Sequence, residues 1–313
     1  MAIEYREGIF PPILNNRAGI GDQSMKRVVV IIIVLLVGVG VLAYPAISNY
    51  VSQKNGSYAI QEYEVAVVEL NETAIEAAWD EAEKYNESLA GQPVHDPFLE
   101  GTGMAMLDNY NEILSINERM GYVEIPKISV KLPVYHGTSN EVLQNNVGHL
   151  EGSSMPIGGA GTHSVLTGHT GLTHAKIFTD LIELEEGDLF YIHVLNKTLV
   201  YKIDQIKVIE PDTTDDLRRA DEKDYCTLLT CTPYAINSHR LLVRGERTEY
   251  IPEEREAIKS VTGLTKGNHI MLITAIITSI AMVIIIIIVL IAHKRNLKKQ
   301  DHIEQIRQDI WRW

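Results

Sequence analysis

With only two cysteines among 313 residues, the chain cannot build a disulfide framework, and a single bridge is the most it could form. Spacing removes that bridge too. Cys226 and Cys231 lie in one strand-like run, Tyr225-Cys226-Thr227-Leu228-Leu229-Thr230-Cys231. Five residues of extended chain hold their Cα atoms roughly 16 Å apart, against a limit of about 7 Å for a bridge. The odd separation also turns the two side chains to opposite faces. Cys226 reads as a small buried hydrophobe, which leaves Cys231 as a free thiol in need of another explanation.

Positive charge is scarce as well. There are 28 Lys and Arg against 41 Asp and Glu, a net charge of −13. No internal repeat or low-complexity tract is present, which argues against solenoid and fibrous classes. Long apolar runs are not lacking. Val28–Tyr44 and Ile270–Ala292 contain no charged residue. The second is about 35 Å long as a helix, enough to cross a roughly 30 Å hydrocarbon layer. The first reads as an uncleaved anchor, although Lys26-Arg27 before it and Val41-Leu42-Ala43 near its end also fit a signal peptide. Met25 would serve equally as a start. Lys26 and Arg27 precede the first run, and His293-Lys294-Arg295 with Lys298-Lys299 follow the second, so both ends read as cytoplasmic and residues 45–268 as exported. The chain between the two flanks holds 18 basic and 35 acidic residues, a charge of about −17. That excludes nucleic acid and anionic headgroups as its natural partners.

Within the exported part, residues 61–89 are rich in Ala and Glu without Gly or Pro, and predict one long or two shorter amphipathic helices. Breakers follow from Gly91 to Gly103, predicting a loop that crosses a surface. From Gly121 the pattern changes to short alternating runs: GYVEIP, VKLPVYHG, SVLTGH, DLFYIHVL, LVYKIDQIKVIE, CTLLTC and HRLLVRGER. Such runs at this spacing predict a closed β-barrel, with a short helix over Ile177–Leu184.

Three stretches carry candidate chemistry. Leu166-Thr167-Gly168-His169-Thr170-Gly171 ends a strand in a glycine-flanked histidine. Thr227-Leu228-Leu229-Thr230-Cys231-Thr232-Pro233-Tyr234 ends a strand in the free thiol. Ser238-His239-Arg240-Leu241-Leu242-Val243-Arg244 opens the next strand with an arginine. A cysteine attacks as thiolate, made available by a nearby imidazole or cation. The oxyanion built on an attacked amide needs a donor, and a guanidinium offers a permanent charge with fixed geometry. Taken singly, each residue has an ordinary reading. Among the 11 histidines, His136, His149, His163, His174, His193 and His239 read as surface or structural, and Arg240 alone would be a solvated strand residue. The residues by themselves support a Cys–His hydrolase or transferase and nothing narrower.

Together the three stretches resemble the signature of the sortase family: a T-G-H loop, a T-L-x-T-C strand and an arginine nine residues after the cysteine. The likeness extends over roughly Gly121–Arg247. It implies a mainly β fold, an eight-stranded sortase β-barrel with an N-terminal helical and lid extension and two flanking transmembrane helices. By position it implies Cys231 as nucleophile, His169 as its partner and general acid, Arg240 as the oxyanion cation, and Thr230 and Thr232 as substrate contacts, with no cofactor or metal. It also implies cleavage of an L-P-x-T-G-like sorting signal between Thr and Gly through a thioacyl enzyme. The second apolar run and Asp96-Pro97-Phe98 resemble the pilus-assembling class C branch of Gram-positive bacteria, in which an Asp-Pro-aromatic lid covers the cysteine and the aspartate sits near the arginine. Phe98 stands where Trp is commoner. The partners so implied are pilin subunits with an LPxTG-like signal and an acceptor lysine, together with the membrane and no nucleic acid.

The expected layout is a cytoplasmic tail over 1–27, a span or signal anchor over 28–44, and an extracytoplasmic helical region with the lid over 45–120. The catalytic barrel follows over 121–248, then a juxtamembrane linker over 249–269, a span over 270–292 and a cytoplasmic tail over 293–313. Three other readings share these residues: a sortase that anchors proteins to peptidoglycan, an exported cysteine peptidase, and a two-span protein whose barrel only binds a partner.

Overall fold

The structure is a computed structural model that describes residues 17–89, 96–98, 109–251 and 267–310. The chain forms two compact units, one from residues 1–44 with 268–313 and the other from residues 45–267.

The first unit is helical. Helix α1 (Arg17–Glu69) contains the Val28–Tyr44 run and continues through Pro45, and the C-terminal helix, numbered α4 below, spans Gly267–Ile310. Both are long and apolar enough to cross a membrane. Val34, Leu42 and Ile288 are among many apolar side chains they leave bare, a pattern that hydrocarbon, not water, satisfies.

In the second unit, α1 ends at Glu69 and α2 (Glu72–Ser88) begins after Asn71, whose Oδ1 accepts the Ala74 N–H at 2.8 Å. This cap satisfies one of the donors a helix start leaves open. The expected helical stretch over 61–89 is therefore two helices, and the first is continuous with the apolar run.

Eight strands follow: β1 (Arg119–Ile125), β2 (Val130–His136), β3 (Val147–His149), β4 (Thr162–Thr167), β5 (Leu189–Val194), β6 (Lys197–Ile209), β7 (Asp224–Thr232) and β8 (His239–Thr248). A one-turn helix α3 (Asn140–Leu143) precedes β3. The strands close into a barrel in the order β1-β2-β3-β4-β7-β8-β6-β5, with β2–β3 and β4–β7 parallel and the other pairs antiparallel. Closure removes the edges that an open sheet would expose. Seven of these strands were legible as alternating runs. The eighth, β3, has three residues, too few to show a period. The helix expected over Ile177–Leu184 is a 3-10 turn over Thr179–Glu183. Most of the breaker-rich stretch 91–103 lies outside the described residues; within it Asp96 is 5% exposed, and Pro97 and Phe98 are half-buried.

Alternation along the strands gives the barrel wall two apolar faces. Leu166, Cys226, Leu228, Leu241 and Val243 join the main core. Val165, Leu229 and Leu242, each one residue out of phase, join Leu150, Ile209 and Leu217 in a smaller cluster against which Phe98 packs. The candidate site stands on this second face.

Candidate active site

The site is assembled by strand register. β4 and β7 run parallel, with Thr167 opposite Leu229. The pairing continues past the strand end: the Gly168 N–H donates to the Leu229 carbonyl at 3.1 Å, and the Thr230 hydroxyl donates to the Gly168 carbonyl at 2.7 Å. His169 follows on the loop that leaves β4, directly after Gly168. On the other side of β7, Cys231 pairs directly with Arg240 of β8. Cys231 and Arg240 therefore stand opposite each other on neighbouring strands, and His169 lies on the loop two residues beyond the end of β4. The two cysteines sort as their spacing predicts. Both are free; Cys226 is 0% exposed and packed in the main core, and Cys231 is on the opposite face at 8%.

Gly168 permits this arrangement by having no side chain. A Cβ there would come within 2.8 Å of Ile177 Cγ2 and Phe178 Cδ2, closer than packed carbons tolerate. The histidine loop is then closed from below by the Phe178 N–H, which donates to the His169 carbonyl at 3.1 Å. Thr230, expected as a substrate contact, is 2% exposed, and in this structure its hydroxyl holds the histidine loop. Thr232 is the half-buried last residue of β7, paired with His239, and is followed by a cis bond to Pro233.

The segment Asp96–Phe98 lies across this constellation. Arg240, 4% exposed, forks onto Asp96: Nε donates to Oδ2 at 2.6 Å and Nη2 to Oδ1 at 3.1 Å. Charge-assisted pairs of this bidentate kind are the strongest of the ordinary hydrogen bonds. The remaining Nη1 donates to the Asn237 and His239 carbonyls at 3.3 Å each. Asp96 Oδ1 also accepts the Phe98 N–H at 2.8 Å, so the same carboxylate folds the turn that presents the ring. That ring lies 5.0 Å from the Arg240 guanidinium and 5.3 Å from the His169 ring. Phe98 thus stands between the imidazole and the guanidinium, over the apolar cluster around Leu229.

This enclosure sets the protonation of the two reactive groups. Burial pushes the Cys231 thiol up; Arg240 opposes that and the Asp96 charge adds to it. Burial pushes the His169 imidazole down. Both shifts favour the neutral form, and the Arg240 cation is engaged by the Asp96 carboxylate. Two other histidines of the barrel, His149 and His163, are bonded within its interior. His149 is bonded to Tyr110 and Ser154, and His163 to Thr227 and Arg218; both are held down to about 4 by burial. Among the described residues no group of three His, Cys, Asp or Glu side chains is placed to hold a metal.

Comparison with known proteins places this geometry in a family. Residues 123–248 match the sortase domain. Bacillus subtilis sortase D is 31% identical over 130 residues, covering 41% of this chain and 63% of that one. Among solved structures, sortase C-1 from Streptococcus pneumoniae superposes with a TM-score of 0.59 at 49% identity, covering 62% of this chain and 100% of that chain. A Streptococcus pneumoniae sortase C, described for its catalysis and pilin substrate specificity, superposes at 0.57 and 44% identity, covering 62% and 97%.

Proposed function

The chain belongs to the sortase family, and we propose that it is the membrane-held cysteine transpeptidase of a pilus, joining pilin subunits through lysine amines. The observation that carries this reading is the pairing of Cys231 with Arg240 across β7 and β8, beneath a segment that forks onto the arginine and sets the Phe98 ring 5.3 Å from that of His169. The likeness to sortases C supports the pilus branch. The two apolar helices support residence at a membrane, and the basic flanks Lys26-Arg27 and His293-Lys294-Arg295 favour residues 45–268 facing outward with both termini in the cytoplasm.

The reaction starts with departure of Asp96 and Phe98. Arg240 is then released, and the thiol loses both the burial and the carboxylate that hold its pKa up. Proton transfer from Cys231 to His169 gives the thiolate. Its Sγ attacks the carbonyl carbon of the sorting-signal Thr, and the oxyanion forms against the Arg240 guanidinium. The C–N bond to Gly breaks as the imidazolium gives its proton to the departing amine, leaving a thioester on Cys231. A lysine ε-amine then attacks the thioester carbonyl, passes its proton to His169, and the thiolate leaves. The product is an isopeptide bond.

The test is a reconstituted reaction of the full chain in detergent or nanodiscs with a pilin ending in an L-P-x-T-G-like signal. The expected product is a high-mass ladder that Cys231→Ala abolishes. A ladder that survives Cys231→Ala overturns the nucleophile. Product joined to a cell-wall amine, with none joined to lysine, overturns the pilus reading.

A further inference from the structure

The seam by which α1 lies on the barrel ends at the loop that carries His169. Gly56, Ile60, Tyr63 and Val67 are buried, recurring at alternating steps of four and three residues, the spacing of one helix face. The contact is close. A Cβ at Gly56 would sit 3.6 Å from Pro133 of β2, and the Tyr63 hydroxyl donates to the Met120 carbonyl at 3.2 Å. Followed toward the N-terminus, the same face passes residue 53 and reaches Asn49. There the seam makes a polar contact: Asn49 Oδ1 accepts the Lys176 backbone N–H at 2.8 Å.

Lys176 lies in the loop between His169 and Phe178. The inner end of this loop is tied to the barrel through Thr230 at Gly168 and through the Phe178 N–H at His169. Its middle is held by the Thr179 hydroxyl, which accepts the Gly171 N–H at 3.2 Å, and by His174 Nε2 on the Gln144 carbonyl at 2.9 Å. Asn49 is the contribution of α1. An asparagine side chain has few torsions, so a bond from it to a backbone N–H fixes the spacing between helix and loop.

We propose that Asn49 is a positioning residue for His169, through which α1, the helix that also contains the first apolar run, sets the place of the catalytic histidine loop. The inference rests on the acid–base role given to His169 above. Its physical basis is that a displacement of about 1 Å at a reacting group can cost on the order of 10²-fold in rate. A loop released at Lys176 is free to shift by such amounts while the barrel stays folded.

The experiment measures cleavage of a sorting-signal peptide by the full chain in nanodiscs, comparing Asn49→Ala with Asn49→Asp. Asn71→Ala, which removes the α2 cap, controls for loss of an unrelated side-chain-to-backbone bond. For Asn49→Ala the expected result is a kcat reduced about tenfold or more with KM nearly unchanged, and a kcat/KM pH profile whose limbs move. Amide exchange over residues 170–178 quickens in the same variant. Asn49→Asp keeps an acceptor oxygen and restores kcat, whereas Asn71→Ala lowers the melting temperature and leaves kcat alone. Unchanged kcat and pH profile in Asn49→Ala overturn the inference, as does failure of Asn49→Asp to restore a lost kcat. A chain that cleaves no such peptide before any substitution refutes the functional reading itself; one that cleaves it equally well after Asn49→Ala refutes this inference alone.

Discussion

Replacing Asp96 with alanine is the sharpest perturbation the site offers. The carboxylate makes two charge-assisted bonds to Arg240, with both side chains at most 5% exposed, and a third bond to the Phe98 N–H. Removing one partner of a buried pair costs about 3–5 kcal/mol when the other charge must stay buried. Here the segment can leave and let water reach the guanidinium, so the loss is relieved by opening. A smaller figure of ~2 kcal/mol, typical of one hydrogen bond to a charged group, is then a conservative shift in the lid equilibrium. That is about a 30-fold rise in the open population. The thiol responds in the same direction. With burial reduced and the Asp96 charge gone, both raising influences weaken against the lowering one of Arg240, so its pKa falls and the thiolate fraction at neutral pH grows. The assay is alkylation of Cys231 by a small thiol reagent, followed by intact mass at pH 7. Cys226, fully buried in the main core, stays unlabelled and reports that the barrel is folded. We expect Asp96→Ala to be labelled at least about 30 times faster than the unsubstituted chain. Equal rates with Cys226 still protected would refute the idea that Asp96 and Phe98 cover the nucleophile.

Other perturbations separate position from chemistry. Arg240→Lys keeps the charge but loses the fork, and peptide cleavage should fall by about 10²–10³ while the thermal transition shifts little; a drop of less than threefold would remove Arg240 from the transition state. Gly168→Ala forces a methyl group into Ile177 and Phe178. Overpacking of this kind typically costs about 1–3 kcal/mol, so calorimetry should show a lowered melting temperature and kinetics a larger loss in kcat than in KM. Acid stability follows from His149 and His163, whose folded pKa values near 4 lie below the ordinary 6.5. Depressed values mean that their contribution is complete above pH 6.5 and is lost as pH falls toward 4. Between pH 7 and 5 the barrel should lose on the order of 5–10 °C in melting temperature; an unchanged value would show that neither ring is held neutral.

Much of the fold was legible because strand alternation and turn residues are local signals. Seven of eight strands stood out, and β3 did not because three residues carry no period. The helices were legible in kind but not in extent, since the apolar run and the amphipathic stretch each look complete although one helix, α1, contains the first and the opening residues 61–69 of the second. Within the site, the chemical types of Cys231, His169 and Arg240 were readable, and the two-residue periodicity already separated Cys231 from Cys226. The work of Thr230 was not readable. A threonine beside a nucleophile suggests a substrate contact, yet its hydroxyl lies on the Gly168 carbonyl, 62 residues away in sequence.

The division has a physical cause. Charge, apolar run length, strand period and the free thiol are properties of neighbouring residues, and the sequence by itself determined an acidic barrel between two apolar helices with an unpaired cysteine. Which residues meet depends on register between strands far apart in the chain, and only the closed barrel decided that. The parallel pairing of β4 with β7 brings the histidine loop to the end of β7, the antiparallel pairing of β7 with β8 sets Arg240 opposite Cys231, and the Asp96 fork engages that cation. The same closure brings Asn49 of α1 to the histidine loop, a contact across 127 residues that no local pattern announces.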